Sequence, residues 1–292
     1  MDRTQALQSG NAYPGATDPV DSLRFMFAVG IECSCPTIAG GERVDQLRET
    51  GHYELWQKDL RLVRDLGLRY LRYGPPIYRI FLGSGQYVHP GSPDVVQQAQ
   101  FMNERRFLSL DLLFGHDVSA TMYRYVLANG MTAEEYLWFM SQREMRRHCI
   151  MGTDYYITNE HVMLANGRSI GAGDVYGYYV ITRQYFDRYR MPVMHTETNR
   201  TQRHAVEWLW KEWMNLLRLR EDGVPIIGFT WFGLVDMKDW DSALTRRNGT
   251  VNTVGLYTLE RRQRKVAREY RRLVEEFSHL PISSSKFPIL TA

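Results

Sequence analysis

The fold is decided by one stretch of the sequence, Met191-Pro-Val-Met-His-Thr-Glu197-Thr-Asn199, an apolar run that ends in a glutamate. The run predicts a buried strand, and residues 204–220 after it predict an amphipathic helix. A second apolar run, Val224-Pro-Ile-Ile-Gly-Phe-Thr-Trp231, follows. Strand, helix and strand at this spacing form a βαβ unit, whose parallel strands carry chemistry at their carboxyl ends. Glu197 lies at such an end, although this segment alone also leaves a solvated or helix-capping role open.

The rest of the chain continues this alternation. Apolar runs predict further strands at residues 25–31, 68–73 and 149–157. Helical periodicity predicts helices at residues 53–66, 176–189 and 266–277. Five strands with helices between them indicate the α/β class, in a (β/α)8 TIM-barrel type that is incomplete or internally shortened.

The alternation breaks between residues 90 and 148. Segments 93–113, 119–129 and 132–148 all have a helical pattern, and Thr132 with Glu135 predicts a capping box on the last of them. We expect no strand between Tyr73 and Cys149. The domain organisation expected from these patterns is a flexible arm at 1–20, a single barrel-like domain at 21–280 and a tail at 281–292.

The amino-acid composition argues against several classes of protein. The chain has 292 residues, of which 44% are apolar and 24% charged, so it is expected to fold around a substantial core. A net charge of +3 does not favour nucleic acid, and we expect the basic run at residues 261–265 to be a solvated helix face. The cysteine and histidine spacing predicts no metal site. No apolar stretch reaches the roughly 20 residues that span a bilayer, and three cysteines fit a reducing compartment, so we expect a cytoplasmic protein without membrane contact.

Four stretches match, in the same order, the strand-end motifs of one enzyme family. They are Leu71-Arg72-Tyr73 with Arg79-Ile80-Phe81, Asp154-Tyr155-Tyr156, Thr196-Glu197-Thr198-Asn199, and Trp231-Phe-Gly-Leu-Val-Asp236-Met-Lys-Asp239-Trp240 followed by Val254-Gly-Leu-Tyr257. They resemble glycoside hydrolase family 1, the retaining β-glycosidases such as β-glucosidases, which are eight-stranded (β/α) barrels. Thr198 is an insertion relative to the family's Thr-Glu-Asn-Gly. The resemblance covers residues 21–87 and 149–277.

The resemblance implies roles for individual residues. Glu197 would be the nucleophile that forms a covalent glycosyl-enzyme. Arg72 would lie beside it and keep its pKa low, and Tyr156 would donate its hydroxyl to the same carboxylate. The ligand would be a small carbohydrate or glycoside, and no cofactor is implied.

The resemblance also implies sugar-binding residues. Trp231 and Trp240 would offer flat faces to a sugar ring. Asp239, in place of the family's glutamate, would accept hydrogen bonds from sugar hydroxyls, and Asn199 belongs to the same site. The family's first-strand glutamine is replaced by Pro36, and Glu32 in the same mouth is a candidate substitute.

The family's third and fourth strands, which carry its acid/base glutamate, have no counterpart here. Thr158-Asn159-Glu160-His161 is similar to the acid/base motif, but its place assigns it to the exit loop of the sixth strand. Glu160 is therefore either an acid/base residue or a loop residue that hydrogen-bonds locally. The two functions left open are a retaining β-glycosidase and a catalytically impaired barrel remnant that binds sugar or has a structural role.

Five parallel strands cannot close a barrel of the usual tilt. Three arrangements are open: the second and sixth strands pair directly, a second chain covers the gap, or the sequence joins two segments of a longer chain between Tyr87 and Val88. We favour the last. Homo-oligomerisation is left open.

Overall fold

The computed structural model describes residues 24–74, 86–144 and 149–281. Its strands are β1 (Met26–Gly30), β2 (Tyr70–Arg72), β3 (Tyr87–Pro90), β4 (Met151–Asp154), β5 (Glu160–Met163), β6 (Ser169–Gly171), β7 (Val193–Glu197), β8 (Ile226–Phe232), β9 (Met237–Lys238) and β10 (Val251–Asn252). Its helices are α1 (Gln46–Glu49), α2 (His52–Asp65), α3 (Val96–Arg105), α4 (Leu108–Leu113), α5 (Ala120–Ala128), α6 (Ala133–Met140), α7 (Gly177–Tyr189), α8 (Ala205–Glu221) and α9 (Lys265–Phe277).

A five-stranded parallel sheet forms the centre of the fold, in the order β2-β1-β8-β7-β4. These are the five strands that the sequence predicts, with helices in the connections. Every residue of β1 and β8 is buried, as expected for strands covered on both faces. The fold is therefore an incomplete (β/α) barrel, as the sequence indicates.

Helix α8 joins this sheet to the outer helices. Its buried positions recur at three- and four-residue spacing and include Leu209, Trp213 and Leu216. The Trp213 ring lies 5.3 Å from the ring of Phe27 and 6.2 Å from that of Phe229. This face of α8 therefore packs on β1 and β8 of the central sheet.

The structure corrects the expectation that no strand lies between Tyr73 and Cys149. Strand β3 lies there and forms a second sheet, in the order β3-β5-β6. Its outer backbone is held by Asn103, whose Oδ1 accepts from the Val88 amide at 2.8 Å and whose Nδ2 donates to the Val88 carbonyl at 2.7 Å. Strand β3 has four residues, of which one is buried, so its sequence shows no alternation of apolar and polar residues. The strand forms because it pairs with β5, which is distant in sequence.

The helical segment is close to its expected form. Residues 93–113 contain a short 3₁₀ turn followed by α3 and α4, and the next segments are α5 and α6. The Thr132 hydroxyl accepts from the Glu135 amide at 3.1 Å, and the Glu135 carboxylate accepts from the Thr132 amide at 2.8 Å. The predicted capping box is therefore confirmed.

Among the described strands, the central sheet is open. Strands β2 and β4 lie at its two edges, so the arrangement in which these two strands pair directly does not occur among the described strands. Tyr87 and Val88, where we favoured a junction, are consecutive residues of β3 and pair with Glu160 and His161. They form one continuous strand, which gives no support to a join at this point. The cover by a second chain and the join both stay predictions.

The domain boundaries stay predictions as well. The expected arm at 1–20 and residues 282–292 of the expected tail lie outside the described residues. The amide of Phe25 donates to the carbonyl of Leu280 at 3.0 Å, so the start and end of the described chain are held together.

The expectation of a solvated basic face at residues 261–265 is wrong for Arg261. That residue precedes α9 and is buried. Its guanidinium forms a bidentate salt bridge with the Asp59 carboxylate, and each of the two hydrogen bonds is 2.8 Å long. The fork geometry of the pair satisfies both charges inside the protein.

Candidate active site

Three strand ends meet at Glu197. The residue ends β7 and is 9% exposed, so it is neither solvated nor a helix cap. Arg72, the last residue of β2, places Nη1 2.5 Å from Oε1 of Glu197. Tyr156, just beyond β4, donates its hydroxyl to Oε2 at 2.8 Å. Each carboxylate oxygen thus has one donor, from opposite edges of the sheet.

A bulge in β7 explains why Glu197 faces these partners. His195 pairs with Thr153 on β4 and Glu197 pairs with Asp154, so Thr196 is an extra residue. In a regular strand without a bulge, His195 and Glu197 would share one face, since side chains alternate along a strand. The His195 ring instead stacks on Tyr178 of α7 at 3.8 Å. The bulge therefore turns Glu197 away from the helix layer and towards the sheet's carboxyl end.

Burial dominates the ionisation of Glu197. Loss of water raises the pKa of its carboxyl above the usual value, and the charge of Glu32 adds to the rise. Arg72 and the Tyr156 hydroxyl act in the opposite direction without cancelling it. The expectation that Arg72 keeps the pKa of Glu197 low is therefore wrong in its outcome, because burial outweighs the ion pair.

Aromatic rings border the carboxylate. The Arg72 guanidinium lies 5.0 Å from the centre of the Phe232 ring. The Trp240 ring lies 5.9 Å from that ring and 6.4 Å from Tyr156, and Trp240 is half-buried. Trp240 is therefore near the carboxylate with part of its surface free. Phe232 could not be selected from the sequence, because it lies inside an apolar strand.

Trp231 is placed differently. It is fully buried in the core, and its indole Nε1 donates to the carbonyl of Val254 at 3.2 Å. A ring without exposed surface cannot stack on a sugar in this conformation, so the position does not fit the expected role.

The side chains of Asp239 and Asn199 form hydrogen bonds with backbone groups. Asp239 is 5% exposed, and its Oδ1 accepts from the amides of Asn248 and Thr250, both at 3.0 Å. Asn199 is buried and donates through Nδ2 to the carbonyl of Phe232 at 2.5 Å. Both side chains hold the loops around the site together in this structure.

Glu32 lies in the mouth, as the sequence suggests. It follows β1, is half-buried, and accepts from the Ser34 amide through Oε1 at 2.8 Å. Its effect on the pKa of Glu197 reflects the closeness of the two carboxylates. Glu32 is thus grouped with Glu197, Arg72 and Tyr156.

Glu160 is enclosed by donors. It begins β5, so it is not a loop residue, and it is fully buried. Its oxygens accept from the Tyr155 hydroxyl and from His89 Nε2, both at 2.7 Å, and from the amides of Tyr176 and Gly177. Burial acts to raise the pKa of Glu160, but these hydrogen bonds outweigh it and lower the pKa.

An acid catalyst needs a carboxyl that is still protonated near neutral pH. The contacts and lowered pKa of Glu160 do not fit that need. They favour the second alternative, local hydrogen bonding, although the residue belongs to a strand.

Two further results concern the described residues only. They contain no group of three or more histidine, cysteine, aspartate or glutamate side chains arranged to hold a metal ion. They also contain no helix long and apolar enough to cross a membrane.

Known structures resemble this fold at low sequence identity. A family 1 β-glucosidase from Thermotoga maritima superposes with a TM-score of 0.54 and 14% identity over 67% of this chain and 50% of that one. The Thermotoga maritima β-glucosidase in complex with noeuromycin gives a TM-score of 0.54 and 15% identity over the same shares. No protein-family model and no curated protein matches the sequence.

This likeness establishes the fold. The chain shares part of the barrel architecture of those enzymes and spans about half of their length.

Proposed function

We propose that the chain is a glycoside hydrolase of the retaining β-glycosidase type, with Glu197 as the nucleophile. The observation that carries the proposal is the carboxylate at the carboxyl end of β7, aimed by a bulge and held by Arg72 and Tyr156. The β-glucosidases with a similar fold bind sugar-like ligands in their complexes, which supports a carbohydrate substrate for this chain.

The proposed reaction has two displacements. An oxygen of ionised Glu197 attacks the anomeric carbon, the bond to the leaving oxygen breaks, and a glycosyl-enzyme ester forms. Arg72 and Tyr156 hold the carboxylate in one orientation for that attack. Water then attacks the anomeric carbon, gives up a proton to solvent, displaces Glu197 as the carboxylate and releases the sugar with retained configuration. The first step on a natural glycoside also needs a proton donor for the leaving oxygen.

The alternative is a catalytically impaired remnant that binds sugar or has a structural role. The hydrogen bonds around Glu160 favour it, because they leave that carboxylate unsuited to donate a proton. Of the tryptophans proposed for sugar binding, Trp240 is the one with free surface near Glu197. Under this alternative Trp240 and Glu32 would contact the sugar without turnover.

Paired substrates distinguish the two functions. We expect the wild type to release phenolate from a dinitrophenyl β-glycoside, whose leaving group needs no proton, and to hydrolyse cellobiose more slowly or not at all. Glu197→Gln should remove the aryl glycosidase activity, whereas Glu207→Gln, at an exposed position of α8, should retain it. A wild type that binds glucose or cellobiose without hydrolysing either substrate, with unchanged affinity in Glu197→Gln, would establish the alternative.

The location and assembly of the protein are proposed from sequence alone. We propose a cytoplasmic protein, and homo-oligomerisation is left open.

A further inference from the structure

Thr198 joins three elements next to the candidate nucleophile. It is fully buried, and its hydroxyl donates to the carbonyl of Tyr155 at 2.7 Å. The same hydroxyl oxygen accepts from Nε1 of Trp208 at 2.7 Å. The Thr198 carbonyl accepts from the amide of Phe232 at 2.9 Å. One residue therefore connects the exit of β4, helix α8 and the end of β8.

These bonds fix the backbone from which Tyr156 projects. The Tyr155 amide donates to the carbonyl of Glu197 at 3.0 Å, while the Tyr155 carbonyl accepts from Thr198. Tyr155 is thus held on both sides, and the next residue supplies the hydroxyl that bonds Glu197.

The hydrogen bond from Thr198 matters more because β4 is an edge strand. Strand β4 is an edge of the five-stranded sheet and pairs there with β7. In a closed barrel a strand has a neighbour on each side that restrains its exit. Here the side-chain bond from Thr198 restrains the exit of an edge strand.

We propose that Thr198 is a positioning residue that holds Tyr156 in hydrogen-bonding contact with Glu197. The inference rests on the proposed function, because it assigns Thr198 a part in the same site. In the sequence, Thr198 is an insertion relative to the family motif, and the hydrogen bonds give that insertion a physical reason.

Trp208 orients the Thr198 hydroxyl. Its ring lies 6.0 Å from that of Tyr155 at an interplanar angle of 9°, and it is 5% exposed. Since the indole N–H donates to the hydroxyl oxygen, the hydroxyl proton is left for the Tyr155 carbonyl. Serine at position 198 retains this pair of bonds, whereas valine retains the shape and removes both.

The test compares Thr198→Val, Thr198→Ser and a matched control. Thr50→Val removes another buried threonine hydroxyl that donates to a carbonyl, that of Gln46 at 2.9 Å, at the end of α1. The first measurement is a ¹³C-NMR titration of the Glu197 carboxyl, assigned by comparison with Glu197→Gln. The second is the pH dependence of labelling by a 2-deoxy-2-fluoro glycoside.

We expect the midpoint of the Glu197 titration to lie about one pH unit higher in Thr198→Val than in the wild type. A shift of this size corresponds to the loss of one hydrogen bond to a charged group. The labelling rate on the acid limb should fall about tenfold, because a tenfold smaller fraction of the carboxyl is ionised. Thr198→Ser and Thr50→Val should titrate and label as the wild type does.

A Thr198→Val protein with a wild-type Glu197 titration would overturn the proposal. If that variant does not fold, Thr198→Ala serves instead, since it also removes the hydroxyl and both of its hydrogen bonds, and the same shift is expected. The titration is independent of turnover, so a wild type that is never labelled overturns the proposed function, while a shifted titration would still support the positioning role of Thr198.

Discussion

Arg72 and Glu197 form an ion pair, with Nη1 2.5 Å from Oε1, across the ends of four strands. Strands β2 and β7 are separated by β1 and β8 in the sheet. At about 4.8 Å per strand, three steps separate the two backbones by roughly 14 Å on a flat sheet, from which side chains stand out roughly at right angles. The direct contact therefore indicates that the sheet curves around the site, as a barrel wall does, although the described strands do not close it.

Removing the Arg72 charge should change the pH dependence of the site. Burial raises the pKa of Glu197 and Arg72 opposes that rise, so Arg72→Met should raise the pKa further. The acid limb of the labelling rate should then shift to higher pH, because Glu197 ionises later. Arg69→Met, an equal change of charge at an exposed position, is the control and should leave the limb in place. An acid limb that stays in place or moves to lower pH in Arg72→Met would contradict this assignment.

Glu160→Gln separates the two roles left open for that residue. If Glu160 bonds locally, the variant loses acceptors for His89 and Tyr155, and its unfolding free energy should fall by about 1–3 kcal/mol. Turnover of an aryl glycoside by the folded variant should be close to that of the wild type. Glu54→Gln, at an exposed position on α2, is the matched control for stability.

The acid/base role predicts a different outcome for Glu160→Gln. Turnover would fall by about 10²-fold or more on a glycoside with a poor leaving group. Added azide would restore turnover of the aryl glycoside and give a glycosyl azide. That product would contradict local hydrogen bonding as the role of Glu160.

Glu212 should make stability depend on pH. Burial raises its pKa to about 8 and lowers the pKa of His195 to about 3, so the pair, with Nε2 and Oε2 3.4 Å apart, is neutral on both sides over much of the range between those values. The unfolded chain releases the Glu212 proton near the ordinary value of 4.5, whereas the folded chain holds it up to about 8. The Glu212 contribution to stability should therefore fall with rising pH across this window, on the order of 1 kcal/mol per pH unit. Below pH 6.5, where the unfolded chain protonates His195, the His195 contribution has the opposite sign and offsets it.

Glu212→Gln should remove that contribution, since the amide does not ionise. Chemical denaturation at several pH values between 4.5 and 8 measures the slope. Glu207→Gln, on the same helix with its side chain 84% exposed, should show the wild-type slope. Equal slopes in Glu212→Gln and the wild type would contradict a protonated, buried Glu212.

The sequence was sufficient for the parts of the fold that local pattern determines. The sequence predicts strands β1, β7 and β8 and helices α2, α8 and α9. A strand that is covered on both faces has a continuous apolar run, and a helix that is buried along one side has apolar residues at helical spacing. Strands β3, β5 and β6 were missed. They are three or four residues long, and every residue of β6 is exposed, so their sequences show no pattern of burial. These strands are recognised only from their pairing with one another in the structure.

The site was predicted in part for the same reason. Residues next to strand ends, Arg72, Tyr156 and Glu197, could be selected from the motifs that they belong to. The bulge at Thr196 could not, because it depends on register against β4. The direction of the Glu197 pKa was missed because it depends on how completely the carboxylate is buried, which a linear pattern does not give.

The nucleophilic role of Glu197 is tested most directly by trapping the ester. Intact-mass spectrometry of the whole protein before and after incubation with 2,4-dinitrophenyl 2-deoxy-2-fluoro-β-glucoside measures it, followed by peptide mapping. We expect the mass to increase by one fluorosugar, the label to lie on Glu197, and Glu197→Gln to remain unlabelled. No adduct with the gluco, galacto or manno reagents, or an adduct on another residue, would contradict the account.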